Sequence, residues 1–153
     1  MAEHENVTLI KRWFQEVWNE GREETVLELL APKVVGVGQV EDGSTINNPQ
    51  EFLVFMRRLR GAFSNFYVTI EDAFATGDKV AARWISGGTH TGDDLGVPAS
   101  GKEILVRGIS LATIRDGKIV EGWDSWDQLK MMQTIGAVEV PKARLAAESA
   151  AAD

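Results

Sequence analysis

Cysteine is absent from the 153-residue chain, which excludes disulfide staples and thiolate catalysis and suits folding in a reducing compartment. Histidine occurs only twice, at positions 4 and 90, too few for a zinc site without cysteine partners. No apolar run approaches the roughly 20 residues that a membrane-spanning helix needs. The opening residues, Met1-Ala-Glu-His-Glu-Asn6, have neither the basic start nor the apolar stretch of a secretory signal. Positive charge is also short: 16 Lys and Arg against 23 Asp and Glu leave a net charge of −7. Such a surface repels phosphate backbones and anionic headgroups, so neither nucleic acid nor membrane is expected as a partner. The expected address is the cytoplasm. The one basic cluster, Arg57-Arg58 with Arg60, reads as the solvated face of a helix. No G-x-S-x-G elbow is present, which leaves a hydrolase serine triad unsupported.

What remains is ordinary globular composition, 44% hydrophobic and 25% charged, in a length that supports one buried core. Val7, Ile10, Phe14, Val17 and Trp18 form the apolar stripe of a helix over residues 5–20, closed by Gly21. A shorter helix is expected from Glu23 to Leu30, stopped by Pro32. Residues 34–40 read as an edge strand or a loop. Asn48 as N-cap, Pro49 at the first helical position and Glu51 in the first turn start a third helix, which carries Phe52, Phe55, Met56 and Leu59 to about Ala62. The period then changes. Strands are expected over residues 67–76, 79–90, 103–115 and 118–127. Thr76-Gly77-Asp78 and Asp116-Gly117 are hairpin signals between them. A meander with helices on one face is an α+β architecture. A short helix is expected over residues 129–135. The chain divides into a single domain, residues 1–140, and a flexible C-terminal tail, residues 141–153.

Three stretches narrow the reading. They are Gly88-Thr-His90-Thr-Gly92, Gly96-Val-Pro98-Ala-Ser-Gly101-Lys102, and Gly117-Lys-Ile-Val-Glu121-Gly-Trp123-Asp124-Ser-Trp-Asp127, followed by Gln133-Thr-Ile-Gly136-Ala137. In this order and spacing they resemble the signature of the SnoaL-like polyketide cyclases over about residues 78–137. The resemblance implies a fold like nuclear transport factor 2: a cone-shaped, curved antiparallel sheet covered on one side by three N-terminal helices and enclosing an apolar pocket. It also implies a homodimer packed sheet on sheet, and aldol ring closure of a polyketide methyl ester with one acidic side chain as acid/base. Neither metal nor cofactor is implied. Relatives on the same scaffold include isomerases, epoxide hydrolases and binding modules, so the fold alone does not fix the chemistry. Two positions depart from the family: Gly38 and Gly122 stand where many members carry His. The Arg-x-Asp pair of the epoxide hydrolases is not evident. Tyr67, the sole tyrosine, opens a strand and makes no evident oxyanion hole.

Strand alternation places Gly122, Asp124 and Trp126 on one face with Val120, and Trp84, Ser86, Gly88 and His90 on one face of an earlier strand. Proton abstraction beside a carbonyl requires a base within hydrogen-bond reach and a pKa raised toward working pH. A carboxyl in an apolar cavity meets that need, because desolvation disfavours its charged form. Asp124 is therefore the expected acid/base, with His90 orienting it or polarising the carbonyl. A structural alternative is an ion pair of Asp124 with Arg107 or Arg83. Asp127 is carried as a third catalytic candidate, although its place at a strand end also suits a helix cap. Trp13, Phe14, Phe52, Phe55, Trp84, Gly122 and Trp126 are the expected substrate-binding residues, for an apolar small molecule. The rival readings are a non-catalytic ligand-binding or dimerisation module, and an epoxide hydrolase or isomerase. A phosphate loop at residues 96–102 is rejected, because Glu103 replaces the required Ser or Thr and a strand follows.

Overall fold

The computed structural model describes residues 2–144; most of the expected tail, residues 141–153, lies outside them. The first helix, α1 (Glu5–Trp13), continues as a π-helical segment (Phe14–Asn19), so the expected span holds but its last turns widen. Gly21, at φ +71°, ends it in a conformation that favours glycine. Helix α2 (Glu23–Leu29) stops where Leu30 turns extended. Strand β1 (Leu30–Val37) begins at once and includes Pro32, so of the residues 34–40 expected as an edge strand or a loop, 34–37 belong to an edge strand that starts earlier and 38–40 lie in the connection after it. An edge tolerates Pro because no neighbour needs its missing N–H.

Helix α3 (Pro49–Ala62) has the expected cap: the Asn48 side chain accepts the Glu51 N–H at 2.9 Å. Strand β2 (Phe63–Thr76) follows without a break, four residues earlier than expected. Strands β3 (Lys79–His90), β4 (Glu103–Arg115) and β5 (Lys118–Trp126) complete the sheet. Asp116 and Gly117 both adopt positive φ, 53° and 72°, as a type I′ hairpin turn requires. Helix α4 (Gln128–Thr134) ends the regular structure.

The strand order is β1-β5-β4-β3-β2. Four strands form the expected antiparallel meander, and β1 joins β5 in parallel. Helices pack on this curved, unclosed sheet, and the residues between the two layers are buried, among them Val17, Val26, Met56 and Val80. One irregularity positions the site. Ile114 pairs with Ile119, but Thr113 pairs with Glu121, so β5 carries an extra residue at Val120. Ile119 consequently faces the helices rather than away from them. Past the bulge the phase changes, and Gly122, Asp124 and Trp126 face inward.

Candidate functional site

A cavity open to solvent at its mouth lies between the helices and the sheet. Its walls are mostly aromatic. Trp13, Phe14 and Trp18 come from the first helix, Phe52 and Phe55 from α3, and Trp84 and Trp126 from the sheet. The helical rings pack on one another: Trp18 meets Phe52 and Phe55 edge-on, with centroids 5.8 Å apart in both pairs. Every expected substrate-binding residue thus lines one chamber. Gly122 is among them, and a Cβ built there would meet only Gln39 Nε2, at 3.6 Å. A side chain at this position would therefore occupy the chamber. Gly38 is a different kind of glycine. It sits at φ +87°, and a Cβ there would fall 1.9 Å from the backbone oxygen of Asp124. The β1–α3 connection passes against β5 at this point and no side chain fits.

Asp124 is the one ionisable side chain among the described residues that line the cavity. Its carboxyl opens onto the chamber and is otherwise enclosed by protein. This desolvation pushes its pKa up to about 6; the polar side chains of Ser110 and Gln39 beside it pull the other way. The polar neighbours are themselves fixed. Gln39 Nε2 donates to the Gly122 carbonyl at 3.2 Å, and the Gln39 backbone carbonyl accepts the Trp126 indole N–H at 3.2 Å. Ser110 stands directly opposite Asp124 in the β4–β5 ladder and accepts the Trp84 indole N–H at 2.9 Å.

Neither arginine considered as an ion-pair partner reaches Asp124: Arg83 pairs with Glu71 at 2.9 Å, and Arg107 lies on the opposite face of β4 from Ser110. Two expected catalytic residues lie elsewhere. His90 ends β3 eight residues beyond Ala82, the β3 residue in line with Ser110 and Asp124, which is roughly 26 Å along the strand. It is fully buried against Phe63, and its Nδ1 receives the Ser100 N–H at 3.1 Å. The ring therefore anchors the β3–β4 connection and does not orient Asp124. Asp127 is exposed, and its side chain accepts the Lys130 N–H at 3.0 Å as the N-cap of α4. It does not face the cavity.

Sequence reasoning did not find Gln39 or Ser110. Ser110 had a signal: it shares the inward phase of β4 with Ile104, Val106 and Gly108, and is the only hydroxyl of that set. Gln39 had none beyond the flanking Gly36 and Gly38. Among the described residues no three His, Asp or Glu side chains converge as a metal site would require.

The family model described as SnoaL-like polyketide cyclase matches residues 8–135. The chain belongs to that family. Among its relatives, the aklanonic acid methyl ester cyclase DauD of Streptomyces sp. (strain C5) is 28% identical over 131 residues, 85% of this chain and 81% of that one. The structure of TsrD from Streptomyces laurentii superposes with a TM-score of 0.76 at 25% identity, covering 90% of this chain and 100% of that one. A protein with the ketosteroid isomerase-like fold from Catenulispora acidiphila DSM 44928 superposes at 0.71 with 20% identity, covering 92% of this chain and 100% of that one. That likeness shows the fold. The SnoaL-like match includes both walls of the cavity, from Ile10 to Met131.

Proposed function

We propose that this SnoaL-like chain is a cofactor-independent cyclase that closes a ring by intramolecular aldol reaction of a polyketide ester, with Asp124 as its acid/base. The observation that carries the reading is the isolation of Asp124: one ionisable group in an aromatic chamber, with a pKa of about 6. Near neutral pH such a carboxyl is mostly ionised yet markedly more basic than an ordinary aspartate, which suits it to take a proton and return it. As carboxylate it removes a proton from a carbon flanked by carbonyls. The electron pair left on that carbon attacks a ketone carbon of the same molecule and forms the new C–C bond. The carbonyl π pair moves to oxygen, and the alkoxide takes the proton back from Asp124. Substrate and product are isomers, and the carboxyl ends as it began.

Aklanonic acid methyl ester, after which DauD is named, is the first substrate to test. Asp124→Asn is expected to lower turnover by about 10³-fold while the ligand still raises the thermal midpoint. Undiminished turnover in that variant overturns the reading. Ligand stabilisation without turnover by the wild type favours the binding module instead.

A homodimer is part of the proposal. Leu105, Ile109, Leu111 and Trp123 stand exposed on the sheet face away from the helices, between 41% and 56% accessible, and a second copy placed sheet on sheet would cover them. We place the protein's work in the cytoplasm, where a chain without cysteine loses nothing to reducing conditions.

A further inference from the structure

A serine hydroxyl ordinarily rotates among staggered positions and can donate or accept. At Ser110 that freedom is restricted. The Trp84 indole N–H can only donate, and it reaches Ser110 Oγ at 2.9 Å in a buried setting. It occupies an acceptor position on the oxygen, so the hydroxyl hydrogen must point elsewhere, and Asp124 is the residue directly across the ladder. Trp84 lies in this pose because the residue under its ring has no side chain. Gly108 is the β4 partner of Trp84, and a Cβ built on it would fall 2.3 Å from Cζ2 of the indole. Any other residue would lift the ring off the strand and carry Nε1 away from Ser110.

We propose that Gly108, Trp84 and Ser110 form a positioning relay: the glycine seats the indole, the indole N–H fixes the Ser110 oxygen, and the Ser110 hydroxyl is thereby aimed at Asp124 as a donor. The functional weight of the relay rests on Asp124 being the acid/base, but the relay itself can be tested without substrate. It supplies what an aromatic chamber lacks, a fixed dipole that favours the ionised carboxyl without adding a second charge. The groups that face Asp124 are Ser110 from β4 and Gln39 from the connection after β1. No Lys, Arg, His or second carboxyl among the described residues lines the chamber.

The experiment is a carbon-13 NMR titration of the aspartate carboxyls in the ligand-free full-length chain, with Asp124 assigned by its absence in Asp124→Asn. Ser110→Ala is expected to raise the Asp124 midpoint by about one pH unit, and Ser110→Thr, which keeps the hydroxyl, to hold it. Trp84→Phe and Gly108→Ala are expected to raise it in the same direction by less. In the Ser110→Ala background Trp84→Phe is expected to add nothing, since the relay then has no hydroxyl to aim. A midpoint unmoved by Trp84→Phe, or two shifts that simply add, overturns the relay. If Gly108→Ala does not fold, Trp84→Phe and the double variant decide. Loss of turnover plays no part in this readout, so failure of the relay and failure of the cyclase reading are separate results.

Discussion

At Asp124 the folded chain holds a carboxyl whose pKa is raised from 3.8 to about 6. Between those values the folded protein retains a proton that the unfolded chain has released, so stability falls as pH rises across the window. Below about pH 4 both states are protonated and nothing is lost; above about 6 the full cost stands, on the order of 3 kcal/mol. Asp124→Asn removes the titration. Calorimetry is expected to find this variant more stable than the wild type at pH 7.5, with the gap closing toward pH 4. A gap that does not narrow would mean that the carboxyl is not held in a dry site. The group expected to do the chemistry is thus also a stability cost, as strained or desolvated functional residues commonly are. The polar groups that hold it were legible to different degrees. The inward phase of β4 exposes Ser110 to inspection. Gln39 comes beside Asp124 from a connection whose path no local pattern specifies.

Helices and strands answer to local signals, and most of them were legible. Asn48-Pro49 fixed one helix start and Asp116-Gly117 one hairpin, because each carries a backbone requirement that few residues satisfy. The parallel pairing of β1 with β5 was not legible, since it joins segments some 85 residues apart and no turn announces it. The bulge at Val120 also escaped the period-two pattern. Strict alternation gives the right face for Asp124 but the wrong one for Ile119; a regular ladder continued from the Asp116-Gly117 turn would have set Asp124 opposite outward-facing Ile109. The inward carboxyl is therefore a property of the whole hairpin. Asp127 shows the same dependence on its element, because beginning α4 uses its carboxylate on a backbone N–H. Asp127→Ala is expected to cost about 1 kcal/mol of stability in denaturant titration and to leave turnover within a few-fold of wild type. A collapse of turnover with stability intact would return Asp127 to the active site.

On the scale of the whole molecule the sheet has two unlike faces. One is roofed by helices and forms the chamber; the other presents Ile109 and Trp123 to solvent. If a second copy covers that outer face, Ile109→Glu buries a charge in the contact and is expected to shift sedimentation from dimer to monomer. The side chain is exposed in the single chain, so the thermal midpoint of the resulting monomer should report only the lost association. A wild type that sediments as a monomer at all concentrations ends the dimer proposal. The distribution of tryptophan between the faces gives the protein a built-in optical readout. Trp13, Trp18, Trp84 and Trp126 line the chamber, while Trp123 sits outside it. In the monomer aqueous iodide should therefore quench chiefly the light of Trp123, which a second copy would shield, leaving four indoles whose emission dims or shifts when a chromophoric guest enters. Guest capture and self-association can then be followed as two separate fluorescence signals from one unlabelled sample.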